Sequence, residues 1–382
     1  MDGRPLFRSF LQAGFECSTH TLKSGKRLDV VASTAHECFA ARDFARLAET
    51  GMRTVREGLR WHVIEIEPGK HEFLSALPIL EAAQNNGVQI IWDLFHFGSP
   101  NHLDIFDATW VDALGELASA FGRVLRREMS ETSFVAPINE ISFLSWAGGD
   151  SGYMNPFETN RGAELKRQLV RGSIRASDAI RGELGDLHLV SPEPVIHIVG
   201  DAKRPDDVCE AACYRSAMFE AWDMLAGRTQ PELGGNESYL DIIGVNFYDR
   251  NQWWNHGNTI LRHEPEYRPF RDILDEVYAR YGRPVFVSET GAENEDRPAW
   301  FAYISGEVRA ALDAGVPIQG ICLYPILNHP GWDDDRHCHN GLWDYPRPDG
   351  SREVYQPLAD EIERQSTLST TTLQTTHLKR LP

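Results

Sequence analysis

Short apolar runs alternate along this chain with longer stretches whose apolar positions recur at helical spacing. Such alternation predicts repeated βα units around a parallel sheet. Eight strands can be drawn, near Phe10 to Glu16, Thr54 to Leu59, Gln89 to Phe95, Phe134 to Asn139, His188 to Val190, Ile242 to Phe247, Pro284 to Ser288 and Gln319 to Tyr324. Several read as continuous apolar runs, for example Val88-Gln89-Ile90-Ile91-Trp92, as strands buried on both faces do.

Helical stretches fall between the strands. In the first, Cys38, Phe39, Phe44, Leu47 and Ala48 recur at near-helical spacing, and Gly51 stands where a helix C-terminus needs a residue tolerant of positive φ. The stretch from Phe73 to Asn86 ends in the same way at Gly87. No internal repeat and no Pro/Gly/Ser-rich linker divides the chain, so the pattern predicts one α/β domain over residues 1–365, a (β/α)8 TIM barrel. From Ser366 the sequence turns Thr-rich and poor in apolar mass, which predicts a mobile tail over 366–382.

Composition fits a globular protein: 42% of the 382 residues are hydrophobic and 25% charged, enough to bury a sizeable core. The formal net charge of −18 argues against nucleic acid as a partner, because phosphate binding rests on clustered Lys and Arg. Met1 to Phe10 lacks an apolar secretory segment, and no run is long and apolar enough to suggest a membrane span. A cytoplasmic location with reduced thiols is expected, since the six cysteines do not form a disulfide framework. Cys209 and Cys213 read as structural thiols. The crowded stretch from Asn328 to His339 reads as a specificity loop after the last strand, so neither metal nor cofactor is expected.

The chemistry centres on two glutamates. Glu140 closes the run Phe134-Val135-Ala136-Pro137-Ile138-Asn139, and Glu289 closes Pro284-Val285-Phe286-Val287-Ser288. Carboxyl groups at the ends of parallel barrel strands are held rigidly at the active face, and two of them supply the acid and the nucleophile of glycoside hydrolysis. Arg56 would hold Glu289 ionised, and the charge on Glu289 would in turn raise the pKa of Glu140. The amide of Asn139 suits a sugar hydroxyl. Each glutamate has a plainer reading, as half of an ion pair with a loop Lys or Arg, but their order among eight βα units favours the catalytic one.

These residues resemble the glycoside hydrolases of the large barrel clan that includes family 1 β-glucosidases and β-galactosidases, over nearly the whole chain. Asn139-Glu140 resembles the family's Asn-Glu-Pro after strand four, with Ile141 in place of proline, and Glu289-Thr290-Gly291 its Glu-Asn-Gly at strand seven. The resemblance implies that Glu140 is the general acid/base, Glu289 the nucleophile and Asn139 the ligand of the sugar 2-hydroxyl. It likens Arg56 to the arginine that steadies the nucleophile and His96 to the sugar-contacting histidine. Asp241-Ile242-Ile243-Gly244-Val245-Asn246-Phe247-Tyr248 is similar to the strand-six motif, which places Tyr248 near the nucleophile and makes Asn246 a substrate-binding or supporting residue. Tyr324 and Trp332 keep the spacing of two family tryptophans that line the sugar pocket.

Two departures bear on the substrate. Gly331 stands where the family has a glutamate that binds the outer hydroxyls of glucose or galactose, which opens that contact to Asp333, Asp334 or Arg336. Glu16 or His20 stands in for a sugar-binding glutamine near the first strand. The expectation is a retaining glycosidase for a β-linked carbohydrate substrate. The alternatives are a non-catalytic sugar-binding barrel and a transglycosylase using the same covalent intermediate.

Overall fold

A computed structural model describes residues 5–334 and 336–379, with side chains through 368. Eight strands, numbered here in chain order, form its centre: Leu11–Gly14 (β1), Thr54–Gly58 (β2), Gln89–Asp93 (β3), Ser133–Ala136 (β4), Leu187–Pro194 (β5), Ile242–Asn246 (β6), Val285–Thr290 (β7) and Ile318–Leu323 (β8). Each pairs in parallel with its neighbours, and β8 closes on β1 to complete a (β/α)8 barrel, a single domain. All eight strands foreseen from the apolar pattern are present. β5 is longer than the pattern predicted, because Pro192 and Pro194 stay in register with Gly244 and Asn246 where prolines read as a loop. The expected tail from Ser366 falls on the closing helix Gln356–Lys379, and its side chains beyond 368 lie outside the described residues.

Apolar matter sits in two places. A large shell between strands and helices includes Leu47, Trp61, Trp110, Phe121, Val245 and Phe301. A smaller plug of Ile91, Phe134, Ala136, Val190, Ile242 and Phe286 fills the lower barrel, where the ring of Phe7 lies 5.2 Å from Phe134 and 5.1 Å from Phe286. Two residues further along, Asp93 follows Ile91 and Ser288 follows Phe286, so on β3 and β7 the lining changes from apolar floor to polar mouth within that step.

Gly51 and Gly87 follow their helices at φ +82° and +64°, as expected. The helix His36–Glu49 buries a face that overlaps the predicted one in part: Phe44 and Leu47 are inside as expected, together with His36, Ala40 and Asp43, whereas Cys38 is exposed. Polar residues can be buried here because each finds a partner. His36 Nδ1 lies 2.9 Å from Asp43 and Nε2 2.8 Å from Glu57 of β2, with the ring stacked on Phe15 at 3.8 Å. Arg352 then donates to both Asp43 oxygens at 2.7 and 2.9 Å.

Burial works against a charged imidazole at His36, but Glu57 and Asp43 outweigh it and carry the pKa from 6.5 up to about 9. A group whose pKa is raised on folding stabilises the fold fully below its unfolded value and loses that contribution as pH rises through its folded one. The Tm difference between wild type and His36→Gln should therefore be widest below pH 6.5 and shrink by about pH 9. A difference that does not change with pH would mean a neutral ring.

Candidate active site

Alternation along the strands aims most of the site. Residues two apart point the same way, so Asp93 follows Ile91 into the barrel, Asn246 follows Ile242 and Gly244, and Ser288 follows Phe286. By the same rule Glu289 would face the helices. The register between β6 and β7 slips at this point: Val245 stands opposite Val287, but Asn246 stands opposite Glu289. The bulge adds one residue to β7 and turns Glu289 to the cavity at the barrel mouth.

Glu289 is held on both oxygens. Arg56 Nη1 donates to Oε1 at 2.7 Å, and the Tyr248 hydroxyl donates to Oε2 at 2.9 Å. Arg56 is itself buried, and its other amino group donates to Asp93 and, at 2.9 Å, to Asn139 Oδ1. Burial raises the pKa of Glu289 while Arg56 opposes the rise. Tyr248 remains a donor, because its own burial and the charges of Glu289 and Glu140 push its pKa up.

Glu140 leaves β4 in the left-handed region, at φ +49°, a conformation that costs a residue with a side chain roughly 1–3 kcal/mol and that its surroundings must hold. Its amide donates to Pro192 O at 3.0 Å, and Asn246 Nδ2 donates to its Oε1 at 2.8 Å. Asn246 is oriented by Ser288 Oγ, which donates to its Oδ1 at 2.5 Å. Glu140 thus touches the residue beside Glu289 on the neighbouring strand. Burial and the charge of Glu289 raise its pKa well above the usual carboxylate value, the larger rise of the two. The pair is poised with one carboxyl protonated and the other paired to a cation.

Asn139 bridges Arg56 and His96. Its Oδ1 accepts from Arg56, and its Nδ2 lies 3.2 Å from His96 Nε2, while His96 Nδ1 lies 3.0 Å from Asp93; burial works against a charged imidazole there, but Cys17, Asp93 and Glu16 raise its pKa well above the usual value. These groups lie behind the cavity wall. The wall itself includes Glu16, Glu140, Tyr248, Glu289, Tyr324 and Trp332 around a cavity of about 1060 Å³. Tyr324 lies across Gly14, where a Cβ would stand 2.0 Å from its ring, so the first strand must carry glycine there. Glu16 Oε1 accepts the Ser18 amide at 2.9 Å. Burial works to raise its pKa, yet His96, His329 and Ser18 carry it below the usual value.

His20 does not reach this cavity. It lines a separate space of about 300 Å³ on the other side of Trp332, its ring edge-on to the indole at 5.8 Å, and burial lowers its pKa to about 4. In the loop after β8, Asp333 accepts the Tyr153 hydroxyl at 2.6 Å. Arg336 is held by both oxygens of Glu293 at 2.9 and 2.6 Å, so its charge is already matched. Asp334 stands within 2.2 Å of where a Cβ on Gly331 would be. It fills the space that the missing side chain leaves.

Several neighbours were not singled out from sequence: Asp93, Cys17, Ser288, Glu193 and the wall residues Phe143 and Tyr153. Asp93 carried a readable signal, since it ends an apolar run as Glu140 and Glu289 do. Three groups of possible metal ligands converge among the described residues. In the buried one, Asp93 is claimed by Arg56, and burial pushes the Cys17 thiol up to about 11, which keeps it protonated and a poor ligand. The sets His337, His339, Asp344 and Asp207, Glu210, His256 do not line the cavity.

No protein-family model and no curated protein matches the chain. Solved structures do. A β-glucosidase from Thermotoga maritima in complex with glucoimidazole matches with a TM-score of 0.77 and 14% identity, over 96% of this chain and 98% of that one. A family 1 β-glucosidase from the same organism in complex with isofagomine lactam gives 0.74 and 15% over 96% and 99%. The AHE enzyme from Alicyclobacillus herbarius gives 0.75 and 17% over 88% and 87%. Over nearly its whole length, therefore, this chain is built on the barrel of the family 1 β-glucosidases, in a form far diverged from theirs in sequence.

Proposed function

We propose that the protein is a retaining glycoside hydrolase acting on a β-linked glycoside by double displacement. The observation that carries this reading is the asymmetry of the two carboxyls: Glu289 is clamped on both oxygens by a cation and a phenol, while the more strongly raised Glu140 has a single donor, Asn246. Glu140 protonates the glycosidic oxygen as Glu289 attacks the anomeric carbon and the bond to the aglycone breaks. Glu140 then takes a proton from water, which attacks the same carbon and releases Glu289. Direct contact of Glu140 with the strand neighbour of Glu289 supports the short carboxylate spacing of a retaining enzyme.

The row Trp332, Phe143 and Trp146, with successive ring centroids 6.0 Å apart, runs along the wall and offers stacking faces to a sugar and its aglycone. Asp334 takes the outer hydroxyls in place of the family glutamate, and Arg336 is already matched to Glu293. Among the described residues no helix is long and apolar enough to cross a membrane. Incubation with a panel of 2-fluoro glycosides and intact-mass spectrometry tests the proposal. One sugar adduct on Glu289 is the expected result. Binding of sugars without an adduct, on a panel that includes a turned-over glycoside, would overturn double displacement.

A further inference from the structure

Glu193 is a buried carboxyl that lies outside the cavity wall. Along β5, Val190 belongs to the barrel plug, so Glu193 points the other way, into the layer behind the strands, where it is 1% exposed. A carboxyl on that side of a barrel needs partners, and it has them in the turn that carries Glu140. Its Oε2 accepts the amide of Ser142 at 2.9 Å, and the amide of Ile141 also donates to it. Its strand neighbour Pro192 accepts the amide of Glu140 itself. Three successive amides from Glu140 to Ser142 are therefore held by two successive residues of β5.

We propose that Glu193 is a positioning residue for Glu140: it fixes the left-handed turn from which Glu140 projects, and its negative charge favours the proton that Glu140 carries. The inference rests on the acid/base role proposed for Glu140. A glutamine at this position would cap the same amides, so the charge is the part that capping leaves unexplained. The groups facing Glu140 are Glu289 from β7, Asn246 from β6, His96 after β3 and Glu193 from β5. Glu289 and Glu193 favour its neutral form, whereas Asn246 and His96 favour the charged one. Lys166 is a cation whose charge acts on Glu193, and Lys166 is already paired with Glu220 at 2.5 Å. Burial pushes Glu193 itself up to about 7, so its charge appears across the neutral range.

Carboxyl carbon-13 NMR of protein labelled at glutamate Cδ tests this without any substrate, with the Glu140 signal assigned by its loss in Glu140→Gln. In wild type, the Glu140 signal should show a second inflection at the midpoint of Glu193, near pH 7. In Glu193→Gln that inflection should vanish and the Glu140 midpoint fall by roughly one unit. A single-step wild-type titration, or an unchanged midpoint in the variant, would overturn the proposal. Because the NMR readout is independent of turnover, failure of the glycosidase reading and failure of this inference are separable. With an accepted glycoside, the alkaline limb of kcat/KM should move down in the variant with the NMR midpoint, whereas a lower kcat with an unmoved limb would mean capping alone.

Discussion

Glu289→Ala should lower turnover of an accepted glycoside by about 10⁴-fold or more while leaving the fold intact. The two wall carboxyls that interact with it are otherwise engaged. Glu140 is held protonated by burial and by Glu289, and Glu16 is tied to Ser18. Folding should survive, because removal of Glu289 leaves Arg56 its ion pair with Asp93 and its bonds to Asn139 and the Ser288 carbonyl. Glu140→Ala should behave differently, losing most activity on poor leaving groups and far less on activated aryl glycosides, since only the former need the proton. Kinetics over a leaving-group series with circular dichroism of each variant decide the matter. Wild-type activity in Glu289→Ala would sink the assignment of the nucleophile, and a uniform loss in Glu140→Ala would sink that of the acid.

Arg56→Met should cost about 3–5 kcal/mol of stability, the effect expected when one member of a buried ion-pair network is removed and its partners stay charged. Arg56 is fully enclosed and is the cation shared by Asp93 and Glu289. Methionine matches much of the volume but none of the five donors. The pH dependence identifies the cause. Glu289 is already raised by burial; without the guanidinium that opposes the rise its folded-state pKa climbs further, so the penalty is present when it is ionised and is relieved as pH falls. Urea midpoints of wild type and variant should therefore lie furthest apart near pH 8 and approach each other toward pH 5. A gap that stays constant over that range would mean that packing, and not charge, sets the cost. The variant should also turn over poorly, because Glu289 would lose the cation that keeps it ionised.

The contrast between these two residues shows how far sequence could go. That Glu289 and Glu140 end barrel strands is written in the chain, because an apolar run closed by a carboxylate is a local pattern. That both reach the same cavity is not. Glu289 depends on a register slip between β6 and β7, and Glu140 on a left-handed turn held by Pro192 and Glu193. Arg56 was legible as a cation at a strand end, but Asp93, its second anion, was passed over as the end of an apolar run. His20 and Glu16 lie four residues apart, and only the path of the loop after β1 sends one to the main cavity and the other behind Trp332.

The sequence by itself determined the eight strands, the glycine stops of the first helices and the single-barrel architecture, because periodicity and turn residues act over a few neighbours in the chain. It also determined which strand ends carry carboxyls. The tertiary structure alone decided which polar residues of His36–Glu49 are buried, where the extra residue of β7 lies, which amides Glu193 grips and which loop charges are already matched. Each of these depends on pairings between residues distant in the chain. A buried charge is settled by the partner that meets it, and that partner is fixed only when the barrel closes.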